Sequence, residues 1–107
     1  MLPKKNRAVT KEVDKIFKQG RIVHSPSLTL RYLKTDKNES KISFIAPKNI
    51  AKSAVKRNLL RRRGYNSLKK NINLLPFPII GAFILKKYED DLLILENEIK
   101  SLLNKIN

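Results

Sequence analysis

The sequence has no cysteine and no tryptophan, a single histidine, three glycines and only nine acidic residues in 107. Without cysteine there are no disulfides and no thiolate metal sites, which fits a reducing compartment such as the cytoplasm. With His24 as the lone imidazole and carboxylates scarce, no Ser-His-Asp set, Cys-His pair or metal cluster can be assembled. His24 is expected to be an ordinary loop or strand residue. Long hydrophobic runs are also missing. The longest apolar stretch, from about Pro76 to Leu85, is broken by Pro78 and Gly81 and is too short to span a bilayer. The charged opening Met1-Leu2-Pro3-Lys4-Lys5-Asn6-Arg7 is not followed by an apolar segment, so a secretory signal is not expected. These absences predict a soluble protein with no membrane partner.

What is present is a hydrophobic share of 41%, enough for one core built mainly from Ile, Leu and Val, and a net charge of +15. A single domain over residues 1–107 is expected. So large a charge repels itself in so small a chain, and an anionic partner relieves the repulsion. Nucleic acid is the first candidate and an anionic membrane surface the second. The charge is also unevenly placed. Residues 1–40 carry ten basic and four acidic residues, and residues 89–107 carry two and five. From Ser40 to Tyr88 there are twelve basic residues and no acidic one. A solvated surface ordinarily mixes both signs, so this run predicts a face that meets phosphate.

Local patterns predict the order helix, two or three strands, helix, strand, helix, an α+β chain. Thr10 caps a first helix with Glu12 in its first turn and Val13, Ile16 and Phe17 as its apolar stripe, and Gly20 ends it. Leu28 to Leu33 and Ile42 to Ala46 read as strands separated by a turn over 34–40, with a short strand at Ile22-Val23. A long helix is predicted from about Ile50 to Asn71. Pro76 and Pro78 then lead into a strand over Ile79 to Leu85. In the last helix Leu92, Leu95, Ile99, Leu102 and Ile106 form the stripe, with Asp90 and Asp91 at its positive end.

The long helix carries the function. At about 100° per residue, Ala51, Val55 and Leu59 form an apolar stripe, and Arg62 falls near it. Arg57, Asn58, Arg61 and Tyr65 lie along one flank and Lys52, Lys56 and Arg63 along the other. Arginine suits phosphate because its planar fork binds two oxygens at once, and Asn58 can fix a neighbouring arginine or read a base edge.

The stretch Phe44-Ile45-Ala46-Pro47-Lys48-Asn49-Ile50-Ala51-Lys52-Ser53-Ala54-Val55-Lys56-Arg57-Asn58-Leu59-Leu60-Arg61-Arg62 resembles the signature of the bacterial ribonuclease P protein family. Lys48 matches the turn lysine, Ala54-Val55 the small apolar pair, Arg57-Asn58 the Arg-Asn pair and Arg61-Arg62 the basic pair that follows. The opening Leu2 to Arg7 resembles the family's start. The chain departs from the pattern at Leu59, at Tyr65-Asn66 and at Pro47 and Asn49. The resemblance implies a two-layer α/β sandwich with a mixed four-stranded sheet and a left-handed βαβ crossover, like the second domain of a ribosomal protein. It implies RNA contacts at Lys48, Arg57, Asn58, Arg61 and Arg62, to which the helix flank adds Lys52, Lys56 and Arg63, and no catalytic residue in the protein. The partners implied are a catalytic RNA and precursor tRNA. The RNA cleaves the 5′ leader using Mg2+ held mainly by RNA and substrate, and no small-molecule substrate is involved. It further implies a cleft for the unpaired leader between the first helix, the sheet and the basic helix. Phe17 and Tyr32 are its candidate stacking residues; the second aromatic position of the first helix is Val13 here, and the family's strand tyrosine can also align at Arg31. Two other classes share the charge. A ribosomal or RNA-chaperone module would bind RNA without any nuclease role, and a helix-turn-helix protein would place Arg57 to Arg63 in DNA, against the strand patterns.

Overall fold

In the computed structural model, residues 10–35 and 38–106 are described, with side chains from Lys15 onward. The side chains of the expected Thr10 cap, Glu12 and Val13 lie outside what is described, as do the Leu2–Arg7 opening and the Asp36-Lys37 part of the turn. The elements are α1 (Thr10–Gln19), β1 (Arg21–His24), β2 (Leu28–Lys34), β3 (Lys41–Ile45), α2 (Ala54–Asn71), β4 (Ile79–Leu85) and α3 (Leu92–Asn104), with a 3-10 turn at Ile72–Leu74 after α2.

The four strands make one mixed sheet in the order β1-β2-β4-β3. β1 pairs antiparallel with β2 and β2 with β4, while β3 runs parallel to β4. The β3–β4 pair is parallel, so the chain must cross over between them, and α2 is that crossover. The register places Tyr32 beside Gly81 and Arg21, and Leu30 beside Phe83 and Val23. Because side chains alternate along a strand, Leu28, Leu30 and Tyr32 share a face with Ile42, Phe44, Ile79, Phe83 and Leu85. All of these are buried in one cluster with Leu60 and Leu68 of α2 and Leu95, Ile99 and Leu102 of α3. α2 and α3 therefore cover this face of the sheet. α1 lies on the other face against β2 and β4, where Ile16 and Ala82 are buried outside that cluster.

The sequence places the elements correctly but errs on the inner face of the long helix. That helix starts at Ala54, not Ile50, because Ser53 caps it by accepting the Lys56 N–H at 3.4 Å. Its buried stripe is Leu60, Gly64, Ser67, Leu68 and Asn71, not Ala51, Val55 and Leu59. Val55 is 77% exposed. Ala51 is buried, but in the turn ahead of the helix. Tyr65 leaves the expected RNA flank for the core, where its hydroxyl accepts the Phe44 N–H at 3.0 Å and its ring tilts against Phe44. Gly64 permits the close approach of α2 to β3, since a Cβ there would overlap the Phe44 ring. In α3, Leu92 is exposed at the first turn, and Asp91 caps the helix by accepting the Ile94 N–H at 3.1 Å. Gly20 stops α1 without a left-handed backbone; a Cβ there would overlap the Ile16 carbonyl oxygen.

Candidate RNA-binding surface

Between β3 and α2 the chain makes a tight turn in which the Ile50 and Ala51 N–H groups both donate to the Pro47 carbonyl, at 3.0 and 3.1 Å. This turn displays Lys48 and Lys52, both exposed. Arg57 locks it from within: its Nη1 donates to the Ala51 carbonyl at 2.9 Å and the Lys52 carbonyl at 2.8 Å. Arg57 is thus a half-buried clamp as well as a cation, a role the sequence spacing does not reveal. One turn on, Arg61 donates from Nη2 to the Asn58 side-chain oxygen, so Asn58 fixes a neighbouring arginine as expected.

Arg62 corrects an expectation. With the buried stripe centred on Leu60, Gly64 and Leu68, Arg62 points to the opposite side of the helix and is exposed. Lys56 and Arg63 line the flank toward the β4–α3 loop. Lys56 stands 5.9 Å from the Tyr88 ring, and Arg63 donates to the Asp90 carbonyl. No acidic residue occupies the first turn of α2. The helix dipole there adds to the lysines and arginines, an arrangement that repels itself unless an anion is present.

The α1 face of the sheet forms a second surface. α1 covers only its middle, so Ser43, Ile45, Ile80 and Ile84 stay half-exposed beside it, whereas their neighbours on the opposite face are buried. Phe17 stands at the edge of this groove, 40% exposed. The Arg31 guanidinium lies 4.9 Å from the centre of the Phe17 ring and donates to the Phe17 carbonyl at 3.3 Å. Tyr32 does not reach the groove: alternation along β2 turns it to the α2–α3 face, where it is 5% exposed. Arg31 takes the position expected of Tyr32. The signal was available in the sequence, because Tyr32 shares its parity with Leu28 and Leu30. β3 is an edge strand, and from Ile45 at its end the chain runs on into the Lys48–Lys52 turn and α2.

Glu98 is the one acidic side chain drawn into the core among the described residues. It accepts from Ser25 Oγ at 2.5 Å and from the Ser27 N–H at 2.6 Å, tying the β1–β2 turn to α3. Burial alone would raise its carboxyl, but the Ser25 and Ser27 hydrogen bonds and the Lys87 charge outweigh it and hold the group below its ordinary range. His24 Nδ1 lies 3.2 Å from the Thr29 hydroxyl, a contact within the sheet. No three His, Cys, Asp or Glu side chains come together as metal ligands among the described residues. No helix among them is long and apolar enough to cross a membrane.

A basic helix on one side of a small mixed sheet and a half-exposed face on the other are consistent with an RNA-binding protein of the α+β class. The family model for ribonuclease P matches residues 2–107, and the chain belongs to that family. Its fold is similar to that of the RNase P protein from Thermotoga maritima, with a TM-score of 0.85 at 18% identity over 94% of this chain and 97% of that one. The RNase P protein of Staphylococcus aureus superposes with a TM-score of 0.78 at 15% identity, over 90% of this chain and 89% of the other. Comparison with curated proteins finds no match. The chain is therefore a protein component of an endoribonuclease that works with ribonuclease P RNA in tRNA processing.

Proposed function

We propose that the protein binds precursor tRNA through its leader while the RNA subunit carries out the cleavage. The observation that carries this reading is the pairing of a half-open groove at Phe17 and Arg31 with a basic turn and helix beyond the β3 edge. An unpaired strand can stack on Phe17 and place phosphates near Arg31, and then pass β3 toward Lys48 and Lys52. Stacking of this kind is sequence-tolerant, which suits leaders of differing sequence. Arg61, Asn58 and Arg62 on α2 hold the RNA subunit, with Lys56 and Arg63 on the other flank. The protein contributes position and charge and no nucleophile. Magnesium is held mainly by RNA and substrate. The chain is assigned to the cytoplasm, where tRNA precursors are made.

The test is the affinity of reconstituted holoenzyme for precursor and for mature tRNA. Arg31→Ala should weaken precursor binding by about tenfold and leave mature tRNA unaffected. Tyr32→Leu should leave the preference for precursor over mature tRNA intact while lowering the melting temperature. Equal losses for both ligands with Arg31→Ala would remove the groove from leader recognition.

A further inference from the structure

We propose that the corner of the sheet beyond the end of β1 holds one unpaired nucleotide of an RNA strand. Its base would lie against Tyr32 and Phe77 and its phosphate between Arg21 and Lys34. The site is separate from the leader groove, since neither Phe17 nor Arg31 lines it; it rests on the reading of this protein as an RNA binder. β1 pairs with β2 only as far as Arg21 beside Tyr32, while β2 continues to Lys34 and so outruns its neighbour. The step leaves a cavity of about 410 Å³ lined by Arg21, Tyr32, Leu33, Lys34 and Phe77.

Alternation puts Arg21, Tyr32 and Lys34 on the same face. Arg21 and Lys34 are exposed, Phe77 is half-buried, and Tyr32 lines the cavity although only 5% of it is exposed. The Lys34 ammonium already stands 4.8 Å from the centre of the Phe77 ring. A cation held over a ring in a partly apolar cavity that an arginine also lines matches both halves of a nucleotide. The floor takes the planar base, and the rim takes the phosphate. Among the described residues, no acidic side chain lines the cavity. Its volume falls in the range of pockets that enclose a small planar ligand.

The experiment is a nuclear magnetic resonance titration of the full chain with the pentanucleotide U5, following the rings of Tyr32 and Phe77 and the Leu33 and Lys34 amides. The expected result is saturable shifts at these residues. In Arg21→Ala/Lys34→Ala these shifts should need about tenfold more U5, and the salt dependence of their affinity should fall by about 0.7 per lost phosphate contact. Both substituted residues are exposed, and unchanged shifts elsewhere verify the fold of the variant. If U5 moves the α1 groove and α2 but leaves Tyr32, Leu33 and Phe77 unmoved, the pocket is overturned and RNA binding stands. If U5 moves nothing, both fall. Equal affinity for uridine monophosphate and U5 would mark a site for free mononucleotides and overturn its assignment to an RNA strand.

Discussion

Replacing Arg57 with alanine removes two hydrogen bonds from a charged donor to the Ala51 and Lys52 carbonyls. A charged hydrogen bond contributes about 1.5–3 kcal/mol when buried, but the Lys52 contact is exposed and the Ala51 contact only partly buried. The loss should therefore be about 1–2 kcal/mol in all. In a domain of this size each kcal/mol lowers Tm by about 4–8 °C. RNA affinity should fall by more than the loss of one phosphate contact, because the turn that presents Lys48 and Lys52 loosens at the same time. Arg57→Lys keeps the charge but not the forked donor, and should recover little of the stability. Arg61→Ala is the comparison: its partner Asn58 is exposed, so stability should hold within about 0.5 kcal/mol while the salt slope falls by up to about one unit. The assays are thermal melting and RNA binding at several salt concentrations. An unchanged Tm for Arg57→Ala, with a binding loss equal to that of Arg61→Ala, would refute the clamp.

Glu98 is held below its ordinary value of 4.5, so its contribution to stability is complete above that pH and is lost as pH falls through the lower folded value. Urea unfolding from pH 7 down to 3 should show the wild type losing more stability than Glu98→Gln, and parallel curves would contradict this. Gly64→Ala gains about 1 kcal/mol of helix propensity but forces a methyl into Phe44, whose ring is braced by Tyr65 and Phe83. Overpacking costs about 1–3 kcal/mol, so a net loss of up to about 2 kcal/mol is expected in urea, and a gain would mean that β3 and α2 are not tightly apposed.

Element order was legible because each element carries its own punctuation. Pro47 ends β3, Asp91 opens α3, and Leu95, Ile99, Leu102 and Ile106 repeat at helical spacing. The acid-free run from Ser40 to Tyr88 likewise pointed to α2 and its turn as the charged surface. What failed was the phase of α2. Its inner face mixes Gly64, Ser67 and Asn71 with leucines, so apolar periodicity is weak, and the exposed Val55 misleads it. Gly64 and Tyr65 are read correctly only once Phe44 is known to lie opposite. The Arg57 clamp was hidden for a different reason: its acceptors are backbone carbonyls, which leave no trace in residue type. Tyr32 was a misreading of a readable signal, the alternation of β2.

The most direct measurement is single-turnover cleavage of precursor tRNA by the ribonuclease P RNA of the source cell, with and without this protein, at near-physiological Mg2+. The protein should accelerate cleavage at the leader junction and strengthen precursor binding over mature tRNA, while protein free of RNA cleaves nothing. Divalent-dependent cleavage by the protein alone, or a catalytic RNA indifferent to its presence, would contradict the division of labour between a positioning protein and a catalytic RNA.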